Sequence, residues 1–304
     1  MRKWLWRIGI VVAVLLVYPL WNAGYFAWRL YFHGPGALER LAASEPGFTY
    51  RYGPAAKQYA DLRMPAGRGP FPIAVLIHGG CWDAEYGSSR GMAPLADALT
   101  KQGIATLNVQ YRVVGDAGGG WPGTMQDVGT AIDAVRALAT RYPIDPARLV
   151  VAGHSAGAQL ALWSAMRNRL SPGSEIARPD PLMPAAVVAI DGPGALAEFV
   201  GEDSEVCGKP VIVPFMGGTP ARYPQRYRDA SPQDHLPLGV RQYLVQAALG
   251  DLMQPYVDRA RRSGDPVAIY KPAQGKHFDI VNPTEEQGRG TIGMIVRAVR
   301  DVSR

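Results

Sequence analysis

Only two cysteines, Cys81 and Cys207, occur in the 304 residues, and neither belongs to a CxxC pair. A zinc ribbon, an iron–sulfur centre and a disulfide-dense scaffold are thereby excluded. Two alternatives stay open for them: free thiols, or in an oxidising compartment a bridge that would tie the irregular stretch 191–241 to the glycine loop around Cys81. Positive charge is thin outside the N-terminus. Lys and Arg number 32 against 26 acids, but Arg2, Lys3, Arg7 and Arg29 lie in an acid-free stretch, which leaves 28 against 26. No Lys/Arg run interleaved with aromatics follows, so no nucleic acid partner is expected. No two of the five histidines have helix-ligand spacing and no acidic cluster has a calcium-loop pattern, so no metal is expected. Internal repeats and low-complexity tracts are also missing. What remains, 47% apolar and 19% charged, is the composition of a chain that folds around a core.

One uncharged run is long. Ile8 to Trp28, as a helix rising about 1.5 Å per residue, would span roughly 31 Å, one bilayer core. Four of the seven tryptophans, Trp4, Trp6, Trp21 and Trp28, sit near its ends, where amphipathic rings favour the headgroup region. A cleaved secretory signal competes, with Arg2, Lys3 and Arg7 as its positive head. Cleavage after Ala23 would, however, place the indole of Trp21 where a small residue is required. Residues 1–33 are therefore expected to be a retained anchor in the lipid bilayer, with the domain 34–304 outside the cytoplasm, or secreted if the segment is cleaved.

Beyond it, dense apolar runs without polar alternation at Pro72–His78, Ile104–Gln110, Arg148–Ala152, Ala185–Ile190, Tyr243–Ala247 and Val267–Tyr270 read as strands buried on both faces. Two β-type runs, Thr49–Tyr52 and Gln58–Arg63, precede them. Helical periodicity separates most of the strands, at Met92–Lys101, Met125–Arg141, Ala156–Asn168, Pro255–Ser263 and Gly290–Val302. Alternation of this kind predicts an α/β fold with a mostly parallel sheet covered on both faces and a site at the carboxyl ends of its strands. The irregular stretch 191–241 is long for a connection and reads as a cap inserted over that site.

Chemistry concentrates at three strand ends. After the strand at 148–152 comes Gly153–His154–Ser155–Ala156–Gly157 and then a helix, a GxSxG turn that would raise Ser155 Oγ above the sheet beside free helix N–H groups. After the strand at 72–78 comes Gly79–Gly80–Cys81–Trp82, whose loop N–H groups could complete an oxyanion hole with that of Ala156. Serine needs a base oriented by a carboxylate. His33 lies beside the anchor, His78 in the glycine loop, His235 in the irregular stretch, and His154 would point away from the nucleophile. That leaves His277, in a loop after the last strand. Asp251, a few residues past the strand at 243–247, is the expected carboxylate, because Asp258 falls inside a helix and Asp265 opens the next strand. Gly118–Gly123 also satisfies GxGxxG, but it follows a later strand and is interrupted by Pro122, so NAD is not expected.

The motifs His78–Trp82, Tyr111–Arg112, Trp121–Pro122, Asp127, Gly153–Gly157, Ala230–Ser231–Pro232 and His277–Phe278 resemble those of α/β-hydrolase serine esterases, in the branch holding kynurenine formamidase-like and feruloyl-esterase-like enzymes. The resemblance runs from about Gln58 to the C-terminus. It implies an α/β-hydrolase fold with no cofactor. It also implies an ester or formamide substrate, a Ser155–Asp251–His277 relay, and oxyanion donors drawn from Gly79, Gly80, Cys81 and Ala156, those of the loop being the N–H groups of Gly80 and Cys81. A catalytically silent binding module on the same fold is the alternative from another class.

Overall fold

A computed structural model describes residues 35–303. The expected anchor, residues 1–33, lies outside the described residues; among those described, no helix is long and apolar enough to cross a membrane. A short helix, α1 (Pro35–Glu39), leads into β1 (Phe48–Arg51), β2 (Tyr59–Arg63) and β3 (Phe71–Ile77). Then follow α2 (Ala93–Thr100), β4 (Ala105–Gln110), α3 (Gly123–Ala139), β5 (Ile144–His154), α4 (Ala156–Ser164) and β6 (Ala186–Ile190). Three short helices, α5 (Glu202–Cys207), α6 (Ile212–Met216) and α7 (Pro224–Ala230), separate β6 from β7 (Arg241–Val245). The chain closes with α8 (Gly250–Arg262), β8 (Val267–Tyr270) and α9 (Glu286–Asp301).

The strands form one sheet in the order β1-β2-β4-β3-β5-β6-β7-β8, antiparallel between β1, β2 and β4 and parallel from β4 onward. Side chains alternate across each strand, so the continuous apolar runs feed two cores. Ile73, Val75, Ile77, Leu149 and Val151 pack with α3, α4 and α8 on one face. Ala74, Leu76, Val150 and Ala152 pack with α2 and α9 on the other. A mostly parallel sheet covered on both sides is the arrangement the alternation of strand and helix implies.

One boundary differs with consequences for the site. The helix expected from Pro255 begins five residues earlier, at Gly250. A proline at that depth forfeits only the bond to the Asp251 carbonyl, and the preceding N–H groups belong to a first turn that lacks intrahelical acceptors anyway. Asp251 therefore lies on a helix rather than in a loop at the sheet edge.

Candidate active site

Ser155 connects β5 to α4 with φ 55 and ψ −119, a conformation that side chains rarely adopt. Such strain persists only where surroundings over-determine it. Here the Ser155 N–H donates to the Ile190 carbonyl of β6 (2.8 Å), and the two flanking glycines leave no room for side chains. A Cβ on Gly153 would strike the Gly157 carbonyl, and one on Gly157 the carbonyls of Ile77 and His78. The first-turn N–H of Ala156 is thus held beside Ser155, close to the end of β3.

The loop leaving β3 is as sharply bent. Gly80, Cys81 and Trp82 all have positive φ (115, 53 and 53). Asp83 N–H donates to the Gly80 carbonyl (2.9 Å) and Val114 N–H to that of Trp82 (2.8 Å). Neither Gly80 nor Cys81 gives its own N–H to a backbone carbonyl among the described residues. Gly79 is pressed against Ser155, since a Cβ there would lie 2.9 Å from that of the serine. Below the loop, Tyr111 stacks on His78 (4.2 Å) and donates its hydroxyl to the His78 carbonyl (2.6 Å). Arg112 holds the buried Asp127 through two side-chain bonds, Nε to Oδ2 (2.8 Å) and Nη2 to Oδ1 (2.7 Å), and Gln58 donates to the same carboxylate (2.6 Å). Of the residues singled out only by resemblance, Tyr111 therefore braces the loop after β3 at its His78 end, while Arg112 and Asp127 bind each other and Gln58 beyond β4. Ala230 and Ser231 do the equivalent bracing for the stretch between β6 and β7. The Ala230 carbonyl accepts from Gln159 of α4 (2.7 Å), and Ser231 Oγ accepts from Leu196 N–H (3.1 Å).

His277 Nδ1 donates to Asp191 Oδ2 at 2.7 Å, which leaves Nε2 with the lone pair. The expected carboxylate, Asp251, is fully exposed on the first turn of α8, 3.7 Å from Lys271, and does not meet His277. The assignment is corrected on a physical ground. The loop after β7, where the acid was sought, supplies donors instead: Ala247 N–H (2.8 Å) and Leu249 N–H (3.0 Å) both bind Asp191 Oδ1. Asp191 itself is the residue next after β6, with φ 51. Because His154 of β5 pairs with Ile190 of β6, Ser155 and Asp191 leave neighbouring strands at the same level. Burial pushes the Asp191 carboxyl up, but the bond and charge of His277 and the two N–H groups carry it below the usual carboxylate value.

His154, expected to point away, packs its ring against that of His277 (4.6 Å between centroids) and donates Nε2–H to the His277 carbonyl (2.8 Å). Burial, reinforced by His277, lowers its pKa to about 3, so it stays neutral when its neighbour takes up a proton. Burial also lowers that of His78 to about 4. The unfolded chain binds protons at both imidazoles from near 6.5 downward while the folded protein refuses them, so stability falls as pH drops through that window. Each contributes at most about 1.4 kcal/mol per pH unit. Asp191 acts in the same sense, since a depressed carboxyl loses its contribution as pH falls through its folded value. Urea unfolding is expected to show a loss of roughly 2 kcal/mol or more between about pH 7 and pH 4.5, with a shallower slope in His154→Phe.

Cys81 and Cys207 are bonded, joining residues 126 apart in sequence, with Cα atoms 6.3 Å apart. Of the two alternatives the sequence leaves open, the bridge forms: the fold sets the last residue of α5 beside the loop leaving β3, within the span a disulfide bridges. Tyr86 donates its hydroxyl to the Cys207 carbonyl (2.9 Å), Lys209 pairs with Asp83 (3.1 Å) and Glu85 (2.8 Å), and Trp82 stacks on Phe215 of α6 (5.1 Å). Beside Ser155 opens a cleft with about 20 Å³ of room, walled by Cys81, Trp82, Phe199, Val206, Cys207 and Ile212. The stretch between β6 and β7 provides four of these six residues.

A family model described as BD-FAE matches residues 60–245. The chain belongs to that family. Among curated relatives of this BD-FAE member is the probable carboxylic ester hydrolase LipM of Mycobacterium tuberculosis, 27% identical over 230 residues, which are 70% of this chain and 51% of LipM. Another is the kynurenine formamidase avaC of Aspergillus versicolor, 33% identical over 130 residues, 39% of this chain and 42% of that protein. The chain thus spans about half the length of the curated relatives it matches. Esterase B from Lactobacillus Rhamnosis superposes with a TM-score of 0.71 at 16% identity, covering 95% of both chains. This likeness shows that the BD-FAE member has the α/β-hydrolase fold.

Proposed function

We propose that this protein is a serine hydrolase that cleaves carboxylic esters through an acyl-enzyme. The observation that carries the reading is the Asp191–His277 hydrogen bond, 2.7 Å long, beside a serine on a positive-φ turn at a helix start. His277 Nε2 accepts the Ser155 proton as Oγ attacks the carbonyl carbon, then returns it to the departing alkoxide. Asp191 fixes the tautomer and stabilises the imidazolium. The N–H groups of Ala156, Gly80 and Cys81 face the oxyanion; one such donor is worth about 2.7–4 kcal/mol in the transition state. Water, activated by the same imidazole, releases the acid. Cleavage of an aryl formamide by the same groups is the second reading, favoured by the match to avaC. Relative rates on an aryl ester and an aryl formamide separate the two.

Residues 1–33 are proposed to anchor the domain at a membrane, on the outer side. An uncharged run of bilayer length supports this, as does the disulfide, which persists in oxidising compartments. A fluorophosphonate probe applied to fractions of cells expressing the full chain tests both proposals. Labelling of Ser155 that disappears in His277→Ala supports the hydrolase, and no labelling of the folded protein leaves a silent fold. A labelled band that detergent releases from the membrane pellet supports the anchor, whereas a soluble one removes it.

A further inference from the structure

The cleft beside Ser155 touches neither His277 nor the residues stacked on it, His154 and Phe278. On the hydrolase reading, His277 protonates the leaving alcohol, so the alcohol lies on the His277 side and the cleft receives the acyl group. Its room is small, about 20 Å³ for the centre of a water-sized group to move in. Two of its walls, Cys81 and Cys207, are the ends of the disulfide. We infer that the Cys81–Cys207 bond sets acyl-chain specificity: it straps α5 against the oxyanion loop and keeps the cleft short enough to select small acyl groups.

The other ties across this seam are weaker. Lys209 is partly exposed, its partner Glu85 largely so and Asp83 mostly buried, with the ammonium 5.3 Å from the Tyr86 ring; ion pairs with an exposed member contribute little. Tyr86 adds one hydrogen bond, and the Trp82–Phe215 stack lies on α6 rather than α5. Asp203 of α5 binds the N–H groups of Gly201, Val211 and Ile212, all within the cap itself, so these bonds would travel with α5. Val206, next to the bridge, is already one of the most exposed large apolar residues among those described. With the bond open, α5 can move outward and lengthen the cleft along an apolar wall. A dithiol does this: its two thiols are oxidised to a disulfide as Cys81 and Cys207 each gain a hydrogen.

The proposal rests on the hydrolase reading, and its test separates the two. In the full chain, kcat/KM is measured for p-nitrophenyl acetate and p-nitrophenyl octanoate, oxidised, after dithiothreitol, and after reoxidation, with thiol titration to verify each state. The octanoate-to-acetate ratio is expected to rise about tenfold on reduction, the scale on which apolar pockets discriminate chain length, and to return on reoxidation. Cys207→Ser is expected to show the raised ratio without reductant and no response to it. If that variant does not fold, the reversible change in the native protein decides alone. An unchanged ratio overturns the proposal. So does an equal slowing of both esters, which would mean that the bond only braces the oxyanion loop. Failure of the oxidised protein to hydrolyse even the acetate removes the hydrolase reading and this proposal with it.

Discussion

Asp191→Asn is expected to lower kcat/KM on an aryl ester by about 10⁴-fold, the size of effect seen when a triad carboxylate becomes an amide. Asp251→Asn is expected to leave it within about twofold, as a fully exposed side chain beside a lysine should. Asn suits the site sterically, since it tolerates the positive φ found at 191, and its Oδ1 can still accept from Ala247 and Leu249. Its Nδ2, however, donates toward His277. Nδ1 must then accept, the proton moves to Nε2, and the imidazole can no longer take the proton of Ser155. Folding should be nearly intact, so circular dichroism and steady-state rates together check the result. Equal losses in the two variants, or a loss confined to Asp251→Asn, would return the acid to the loop after β7.

Ser155→Ala is expected to cost more, about 10⁶-fold in kcat, because removing the nucleophile disables the relay as a unit. Thermal stability should barely change, since alanine keeps the same strained φ of 55. Ser155→Gly is the informative companion. It abolishes turnover equally but relieves the backbone, and denaturant unfolding should register a gain of roughly 1 kcal/mol or more. If the glycine variant were no more stable than wild type, the turn at 155 would not be strained in solution.

Why Ser155 and His277 could be read from the chain while Asp191 could not follows from what each demands. Ser155 announces itself by two glycines and a strand-to-helix transition, all within five residues. His277 emerged because the other four histidines had competing placements. Asp191 also carried a usable signal, since it stands directly after the buried run 185–190, but it was absorbed into the long irregular stretch that begins there. Asp251 met the same local criterion. What distinguishes the two is where the N–H groups of Ala247 and Leu249 point, a relation between two strand ends that no window of sequence contains. The packing of His154 behind His277 is hidden for the same reason, while the Cys81–Cys207 bond is legible only as one of two alternatives, because no window of sequence brings residues 126 apart together. The sheet was more legible, because unbroken apolar runs are a local consequence of burial on both faces.

The bond between Cys81 and Cys207 also makes a closed ring of the chain between them. The ring contains β4, β5, Ser155 and Asp191, while His277 lies outside it. A backbone cut anywhere inside the ring leaves one covalent molecule rather than two fragments. The proline-bearing stretch 171–184, with exposed residues such as Ser171, Pro172 and Asp180, falls inside it. A nick there would separate the nucleophile from its acid along the main chain, yet both pieces would still be joined through the sulfur bridge at the oxyanion loop.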